Sequence, residues 1–188
     1  VVNKRDELWD AIIGAKNEAK VAFGNDEVFI EKYLKKPRHI EIQIFGDGKG
    51  RVVHLYSRDC SLQRKYQKII EEAPAKNLNQ EKLSEIQNIC VAACSELKYK
   101  GAGTLEFLYE DSEFYFIEMN TRIQVEHTVT EMITGVDLVQ AQLLLALEDK
   151  FDLDQKKLKI NGHAMQCRIN AEDPKTFIPS PGKITRVH

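Results

Sequence analysis

The distribution of apolar and polar residues along the chain predicts a mixture of strands and helices. Two-residue alternation is clearest at 38–45, where Ile40, Ile42 and Ile44 share one face, and an Asp47-Gly48 turn follows. Segments with the strand pattern are 28–34, 38–45, 51–57, 104–109, 114–119 and 163–169. Polar residues 110–113 are expected to turn the chain between 104–109 and 114–119.

Helical periodicity predicts further elements at 6–23, 79–97 and 138–147. In the second helix, Asn79 is a suitable N-cap, and one apolar stripe is predicted from Leu83, Ile86, Cys90, Ala93 and Leu97. Asp137 is a candidate cap for the third helix. A domain boundary is expected near 155–162, in a lysine-rich stretch before the last predicted strand.

Composition narrows the classes of function. The chain has 188 residues, 43% of them hydrophobic, and a net charge of −2, so it is long enough for one sizeable core and is not basic enough to indicate nucleic-acid binding. No apolar run reaches the length of a membrane span, so no membrane partner is expected. The four cysteines form no C-x-x-C pair, which favours a reducing, cytosolic-type compartment.

The richest chemistry lies at the end of the predicted 104–119 hairpin. Four carboxylate or amide side chains and one guanidinium fall within nine residues, namely Glu118, Asn120, Arg122, Gln124 and Glu126. If residue 110 faces residue 114, Glu106 faces Glu118 and Thr104 faces Asn120. Like charges opposite each other destabilise a ladder, whereas a divalent cation between them would reverse that effect. A Mg²⁺ or Mn²⁺ site and a solvated hairpin face both remain open at this point.

A second cluster is basic. Arg58, Arg64, Lys65 and Lys68 lie within eleven residues and could neutralise phosphates, although a solvated loop is the preferred interpretation for Arg64 and Lys65. Arg168 lies in an apolar strand and therefore requires an anionic partner.

Several motifs together resemble the ATP-grasp core of biotin carboxylase. They are EKYL at 31–34, PRHIE at 37–41, RDCS at 58–61, QK at 67–68, EEAP at 71–74, GAGT at 101–104, EMNTRIQVEH at 118–127 and RINAEDP at 168–174. They occur in order over nearly the whole chain. The resemblance implies an α+β ATP-grasp fold, present as a partial domain at 1–155, with residues 156–188 opening the biotin carboxylase C-terminal domain.

The resemblance also implies an activity and its partners. Biotin on a carrier protein or domain would be carboxylated with bicarbonate and ATP through carboxyphosphate, with Mg²⁺ or Mn²⁺. A carboxyltransferase subunit or domain would be a further partner, and the parent protein would be a cytoplasmic or mitochondrial-matrix homodimer.

The resemblance further implies roles for individual positions, and those in this paragraph are its expectations. The metal set would be Glu106, Glu118 and Asn120, and the first two would also contact ATP. The other ATP-binding positions are Glu31, Lys32, Tyr33, Leu34, His39, Gln63 and Tyr66. The bicarbonate pocket is formed by Lys68, Arg122, Gln124, Val125 and Glu126. Within the catalytic set of Lys68, Arg122, Glu126 and Arg168, Glu126 resembles the base and Arg168 the group that binds biotin and stabilises its enolate.

Two positions depart from the family pattern. Tyr66 stands where the family usually has His, and Thr128 stands where it usually has Pro. The family's glycine-rich phosphate loop and ATP-binding lysines are not in this sequence, so the chain alone is expected to be an inactive part of the enzyme. Another ATP-grasp ligase, such as a carbamoyl phosphate synthetase, and a nucleotide-binding module without turnover are the alternatives. Arg168 and the residues after it favour biotin carboxylase over the first.

Overall fold

A computed structural model describes residues 1–183 and 186, in two units that comprise residues 1–35 and 36–188. The first unit contains a 3₁₀ turn at Arg5–Glu7 and helix α1 at Leu8–Phe23, which confirms the predicted helix. Gly24, at φ 73°, ends α1 in the left-handed conformation that glycine adopts without strain. The strand predicted at 28–34 is wrong, because this segment pairs with no other strand in the described part of the chain.

The second unit is built on one antiparallel sheet of six strands in the order β5-β4-β1-β2-β3-β6. The strands are β1 (Arg38–Asp47), β2 (Val52–Arg64), β3 (Gln67–Ala73), β4 (Lys100–Glu110), β5 (Glu113–Asn120) and β6 (Ala164–Cys167). β6 is shorter than the predicted 163–169 and pairs with β3.

Three helices accompany the sheet: α2 (Gln80–Glu96), α3 (His127–Thr134) and α4 (Leu138–Glu148). Asn79 and Asp137 cap α2 and α4 as predicted, since their side chains accept the backbone N–H of Lys82 at 3.1 Å and Gln140 at 2.7 Å. Helix α3 was not predicted. The described residues include no single helix long and apolar enough to span a membrane; α3 and α4 meet that criterion only as a pair, which bends by 92°.

The buried side of α2 differs from the predicted stripe. Its buried residues are Leu83, Gln87, Cys90 and Cys94, which follow the helical repeat, whereas Ala93 and Leu97 are exposed. Leu83, Cys90 and Cys94 pack on the face of the sheet that carries the apolar residues Ile40, Ile42, Ile44, Leu105 and Phe107 of β1 and β4. The opposite face is apolar where Phe45 and Ala102 pack with Leu138 and Leu145 of α4. Beside this apolar contact, the same face of the sheet carries polar and charged side chains.

The basic segment 58–68 is a strand hairpin, so the solvated loop expected for Arg64 is wrong, whereas Lys65 lies exposed in the turn as expected. Lys65 and Tyr66 form the turn at φ 49° and 64°, and β3 returns along β2. Arg64, expected in a solvated loop, forms two hydrogen bonds of 2.7 Å to the Glu172 carboxylate. β2 extends beyond the predicted strand at 51–57, and four consecutive buried residues at 57–60 interrupt the alternation from which a longer strand could be predicted.

The predicted pairing of Glu106 with Glu118 and of Thr104 with Asn120 is confirmed, but the turn differs. Residue 110 faces 113, and the turn consists of Asp111 and Ser112 at φ 51° and 66°. A bulge at Ile117 then supplies the residue that restores the predicted register.

Candidate carboxylate and guanidinium site

The polar face of the sheet carries one row of directly paired charged residues. Glu118 of β5 pairs with Glu106 of β4, Glu106 with Glu41 of β1, and Glu41 with Arg58 of β2. Because side chains alternate along each strand, all four belong to the face opposite the α2 cluster. Three carboxylates in one row would repel each other strongly, so the cations around them decide whether the row is stable.

The Arg58 guanidinium is completely buried and joins five oxygen acceptors. Its Nε donates to Glu41 Oε2 at 2.9 Å. The remaining acceptors are Gln43 Oε1 at 2.5 Å, Thr130 Oγ1 at 2.9 Å, Thr104 Oγ1 at 3.0 Å and Gln124 Oε1 at 3.1 Å. Burial opposes the charged form, but the surrounding acidic groups, Glu41 foremost and then Cys60 and Glu126, together outweigh it and raise the pKa of Arg58. Arg58 thus ties β1, β4, α3 and the loop before α3 together.

Lys68 is the second cation, and three carboxylates surround it. Its Nζ donates to Glu106 Oε1 at 2.9 Å, to Glu126 Oε1 at 2.7 Å and to Glu41. Although burial opposes the charge, these carboxylates raise the pKa of Lys68. For Glu106, burial is likewise outweighed by hydrogen bonds from His39 and Lys68, which lower its pKa to about 2.

His39 is held in one tautomer by its neighbours. Gln63 Nε2 donates to Cys60 O at 2.9 Å and to His39 Nδ1 at 3.0 Å, and His39 Nε2 donates to Glu106 Oε2 at 2.5 Å. In this arrangement Nδ1 is the acceptor and Nε2 the donor. His39 and Gln63, both predicted to bind ATP, therefore lie together beside Glu106.

The three residues predicted to bind metal also lie together. Asn120 Nδ2 lies 2.9 Å from Glu106 Oε1 and 3.0 Å from Glu118 Oε1, so one amide bridges both carboxylates. Gln124 Nε2 donates to the same Glu106 oxygen at 2.7 Å. Rotating the Asn120 amide would place its oxygen between the carboxylates, giving the hard oxygen ligands that Mg²⁺ and Mn²⁺ prefer. The residues therefore fit such an ion.

Glu126 lies immediately before α3 and is 2% exposed. Its two carboxylate oxygens have different partners: Lys68 Nζ at 2.7 Å and Arg168 Nη2 at 2.9 Å. Burial opposes ionisation, yet the hydrogen bond and charge of Lys68, together with the charge of Arg58, outweigh it and lower the pKa of Glu126. Arg168 also donates from Nε to Glu71 Oε1 at 2.6 Å, which supplies the anionic partner that its position required.

Some predicted site residues do not join this cluster through their side chains. Arg122 is exposed, and its one hydrogen bond within the described residues goes to Ile123 O at 3.2 Å. Val125 is 60% exposed and Tyr66 is 99% exposed. The segment Glu31, Lys32, Tyr33 and Leu34 belongs to the first unit. The Glu126 carboxylate does not pair with Arg122 four residues earlier, because Lys68 and Arg168 are its cationic partners within the described residues.

Three buried charged residues, each 0% exposed, were not among the predicted site residues: Glu41, Arg58 and Glu71. Arg58 was expected only as one of four cations that could neutralise phosphates, and its donors are instead taken by protein oxygens. A signal for Glu41 was available in the alternation of β1, which places His39, Glu41 and Gln43 together on the face opposite its isoleucines. Arg58 and Glu71 gave no such signal, since β3 and the second half of β2 were not predicted as strands.

Comparison with known proteins places the chain in a family. Residues 1–154 match the family model described as the carbamoyl-phosphate synthase L chain, ATP binding domain. The chain belongs to this family. The chain is 58% identical over 188 residues to biotin carboxylase of Haemophilus influenzae, covering 100% of this chain and 42% of that protein.

Solved structures agree with this assignment. Biotin carboxylase from Campylobacter jejuni, in its β-γ-ATP complex, has a TM-score of 0.86 and 47% identity over 99% of this chain and 42% of that chain. The biotin carboxylase domain dimer of Hydrogenobacter thermophilus 2-oxoglutarate carboxylase, with MgADP, ADP and bicarbonate, has a TM-score of 0.81 and 46% identity over 95% of this chain and 42% of that chain. The predicted α+β ATP-grasp fold and the resemblance to biotin carboxylase are confirmed, and the chain spans less than half the length of these relatives.

Proposed function

We propose that this chain forms the metal-, bicarbonate- and proton-handling part of a biotin carboxylase, an ATP-dependent ligase that carboxylates biotin through carboxyphosphate. The observation that carries the proposal is the buried Glu126 carboxylate, held between Lys68 and Arg168 beside the Glu106–Asn120–Glu118 set. The 58% identity to a biotin carboxylase supports it. The activity belongs to the full-length enzyme of which the chain would form a part.

Bicarbonate and the ATP phosphates are anions that must meet before carboxyphosphate forms. Fixed cations lower their repulsion without reorganising during the reaction. We assign this task to Lys68 and Arg122, with Gln124 and the backbone at Val125 completing the pocket. Arg122 suits a planar two-point contact with an oxyanion, because its only hydrogen bond within the described residues is to one backbone carbonyl.

Glu126 accepts the bicarbonate proton in this proposal. Its lowered pKa keeps it ionised at neutral pH, as a base must be. A bicarbonate that takes over the Lys68 N–H groups would remove the contact that lowers this pKa. The proton affinity of Glu126 would therefore increase as the substrate binds.

Glu106, Glu118 and Asn120 would hold Mg²⁺ or Mn²⁺, which supplies charge neutralisation at the ATP phosphates when bound. Lys68 already balances part of the charge of Glu106 at 2.9 Å. These residues therefore remain compatible with folding when no metal is bound.

The remaining assignments concern ATP, biotin and partners. His39, Gln63, Tyr66 and the segment 31–34 are assigned to ATP, and Arg168 to biotin and its enolate. Biotin would arrive on a carboxyl carrier protein or domain and continue to a carboxyltransferase, and the enzyme would be a homodimer in the cytoplasm or mitochondrial matrix. The assignment of residues 1–155 to the ATP-grasp domain and 156–188 to the next domain stays a prediction.

Bicarbonate-dependent ATP hydrolysis stimulated by free biotin tests the proposal in the full-length protein. Glu126→Gln should reduce biotin-dependent turnover by about 10²–10⁴-fold without changing the KM for ATP. Glu72→Gln is the matched control. Glu72 directly follows Glu71 in β3, so its side chain lies on the face away from the site, where it pairs with His163 at 3.2 Å. Hydrolysis that responds to an ammonia donor and not to biotin would favour a carbamoyl phosphate synthetase and contradict the proposal.

A further inference from the structure

Glu71 of β3 is the buried charge that the proposed chemistry leaves without a task. It is 0% exposed, its Oε1 accepts from Arg168 Nε at 2.6 Å, and its Oε2 has no hydrogen-bond partner within the described residues. An unsatisfied buried carboxylate oxygen costs stability, so packing alone does not account for a glutamate here. Burial raises the pKa of Glu71, and the Arg168 contact opposes that effect only in part.

Glu71 and Glu126 each accept one hydrogen bond from the same edge of the Arg168 guanidinium. Nε donates to Glu71 at 2.6 Å and Nη2 donates to Glu126 at 2.9 Å, whereas Nη1 has no hydrogen bond in the described part of the chain. A lone carboxylate commonly takes both N–H groups of such an edge in a two-point contact. Here Glu71 occupies Nε, so Glu126 receives only one hydrogen bond from Arg168.

We propose that Glu71 is a positioning residue that holds Arg168 by its Nε–H and thereby prevents a two-point ion pair between Arg168 and Glu126. This inference rests on the proposed function, in which Arg168 meets the biotin oxygen and Glu126 takes a proton. With Glu71 in place, Nη1 stays available to an anionic oxygen of the substrate. Without it, Arg168 can turn both Nε and Nη2 to Glu126, which withdraws the guanidinium from the substrate.

Two substitutions separate positioning from folding. Glu71→Leu removes the acceptor and keeps a buried side chain of similar size, so the protein should remain folded. Glu71→Gln keeps an amide oxygen that can accept the Arg168 Nε–H. In the full-length protein, Glu71→Leu should lower biotin-dependent turnover by about 10–100-fold, with the KM for ATP within about twofold of the parent. Glu71→Gln should recover most of that loss, and Glu72→Gln should behave as the parent.

A second measurement does not depend on activity. The Arg168 Nε–H resonance, assigned by its loss in Arg168→Lys, should keep its chemical shift in Glu72→Gln and change it in Glu71→Leu, because the Nε–H then donates to Glu126 instead of Glu71. An unchanged resonance in Glu71→Leu would overturn the inference, as would biotin-dependent turnover within twofold of the parent. A parent protein without any biotin stimulation would refute the proposed function instead, and the resonance would still decide whether Glu71 holds Arg168.

Discussion

Replacing Arg58 by lysine should destabilise the sheet although the charge is kept. Arg58 is 0% exposed and reaches Glu41, Gln43, Thr104, Gln124 and Thr130 at 2.5–3.1 Å. A lysine ammonium has three donors, so at least two of these oxygens would lose theirs. At about 1–3 kcal/mol for each unsatisfied buried group, the loss is roughly 2–6 kcal/mol, a large fraction of the stability of a typical domain.

Urea unfolding followed by far-ultraviolet circular dichroism measures this loss. Tryptophan fluorescence is unsuitable, because the single tryptophan, Trp9, lies in the first unit and not in the sheet. Arg51→Lys is the control: Arg51 pairs with Asp47 at 2.8 Å but its side chain is 66% exposed, so the expected change is below about 1 kcal/mol. An Arg58→Lys protein whose free energy of unfolding lies within about 1 kcal/mol of the parent would refute the reasoning.

Four further predictions follow from other contacts. Glu118→Gln should increase the Mg²⁺ concentration needed for half-maximal ATP hydrolysis by the full-length protein, and an unchanged requirement would argue against a metal ligand there. The pKa of Glu126 is lowered from 4.5, so its ionised carboxylate stabilises the fold fully above pH 4.5 and loses this contribution as the pH falls further. Glu126→Gln should therefore make the free energy of unfolding fall less steeply with pH in acid unfolding curves. Replacing the left-handed turn pair Lys65 and Tyr66 by Asn-Gly should raise the free energy of unfolding by roughly 1–2 kcal/mol, and no gain in a urea titration would count against strain at this turn. Thr128→Val should lower the free energy of unfolding by about 0.5–1.5 kcal/mol, because the hydrogen bond to Gln166 is lost. An unchanged free energy of unfolding would show that this bond contributes nothing.

Sequence periodicity predicted the elements whose two faces differ in polarity. The isoleucines of β1 and the alternating residues of the β4–β5 hairpin have one apolar side, so their pairing, including Glu106 with Glu118, followed from the pattern. The pattern failed in β2, where Arg58 is buried and polar. That burial is possible only because Glu41 lies opposite, on another strand.

The chemical roles were predicted mainly by resemblance to biotin carboxylases rather than by physical argument from the residues. Physical reasoning indicated converging carboxylates and an anionic partner for Arg168, and the structure contains both. It could not identify Glu71 as that partner, because the pairing of β3 with β6 joins residues 97 positions apart. Such long-range contacts leave no periodic trace in a sequence.

Because of the bulge at Ile117, the number of residues in the hairpin turn does not by itself decide the geometry of the Glu106 and Glu118 carboxylates. A three-residue tip with a regular ladder would give the same Glu106–Glu118 pairing as the observed two-residue tip with one bulged residue. The two designs differ in local twist, since a bulge bends its strand and turns the side chains beside it. A protein with residue 117 deleted and one residue added at the tip would keep every strand pair on the Glu106 side of the bulge while changing the direction of the Glu118 carboxylate. Carboxylate direction at this edge of the sheet is therefore a property that can vary independently of strand register.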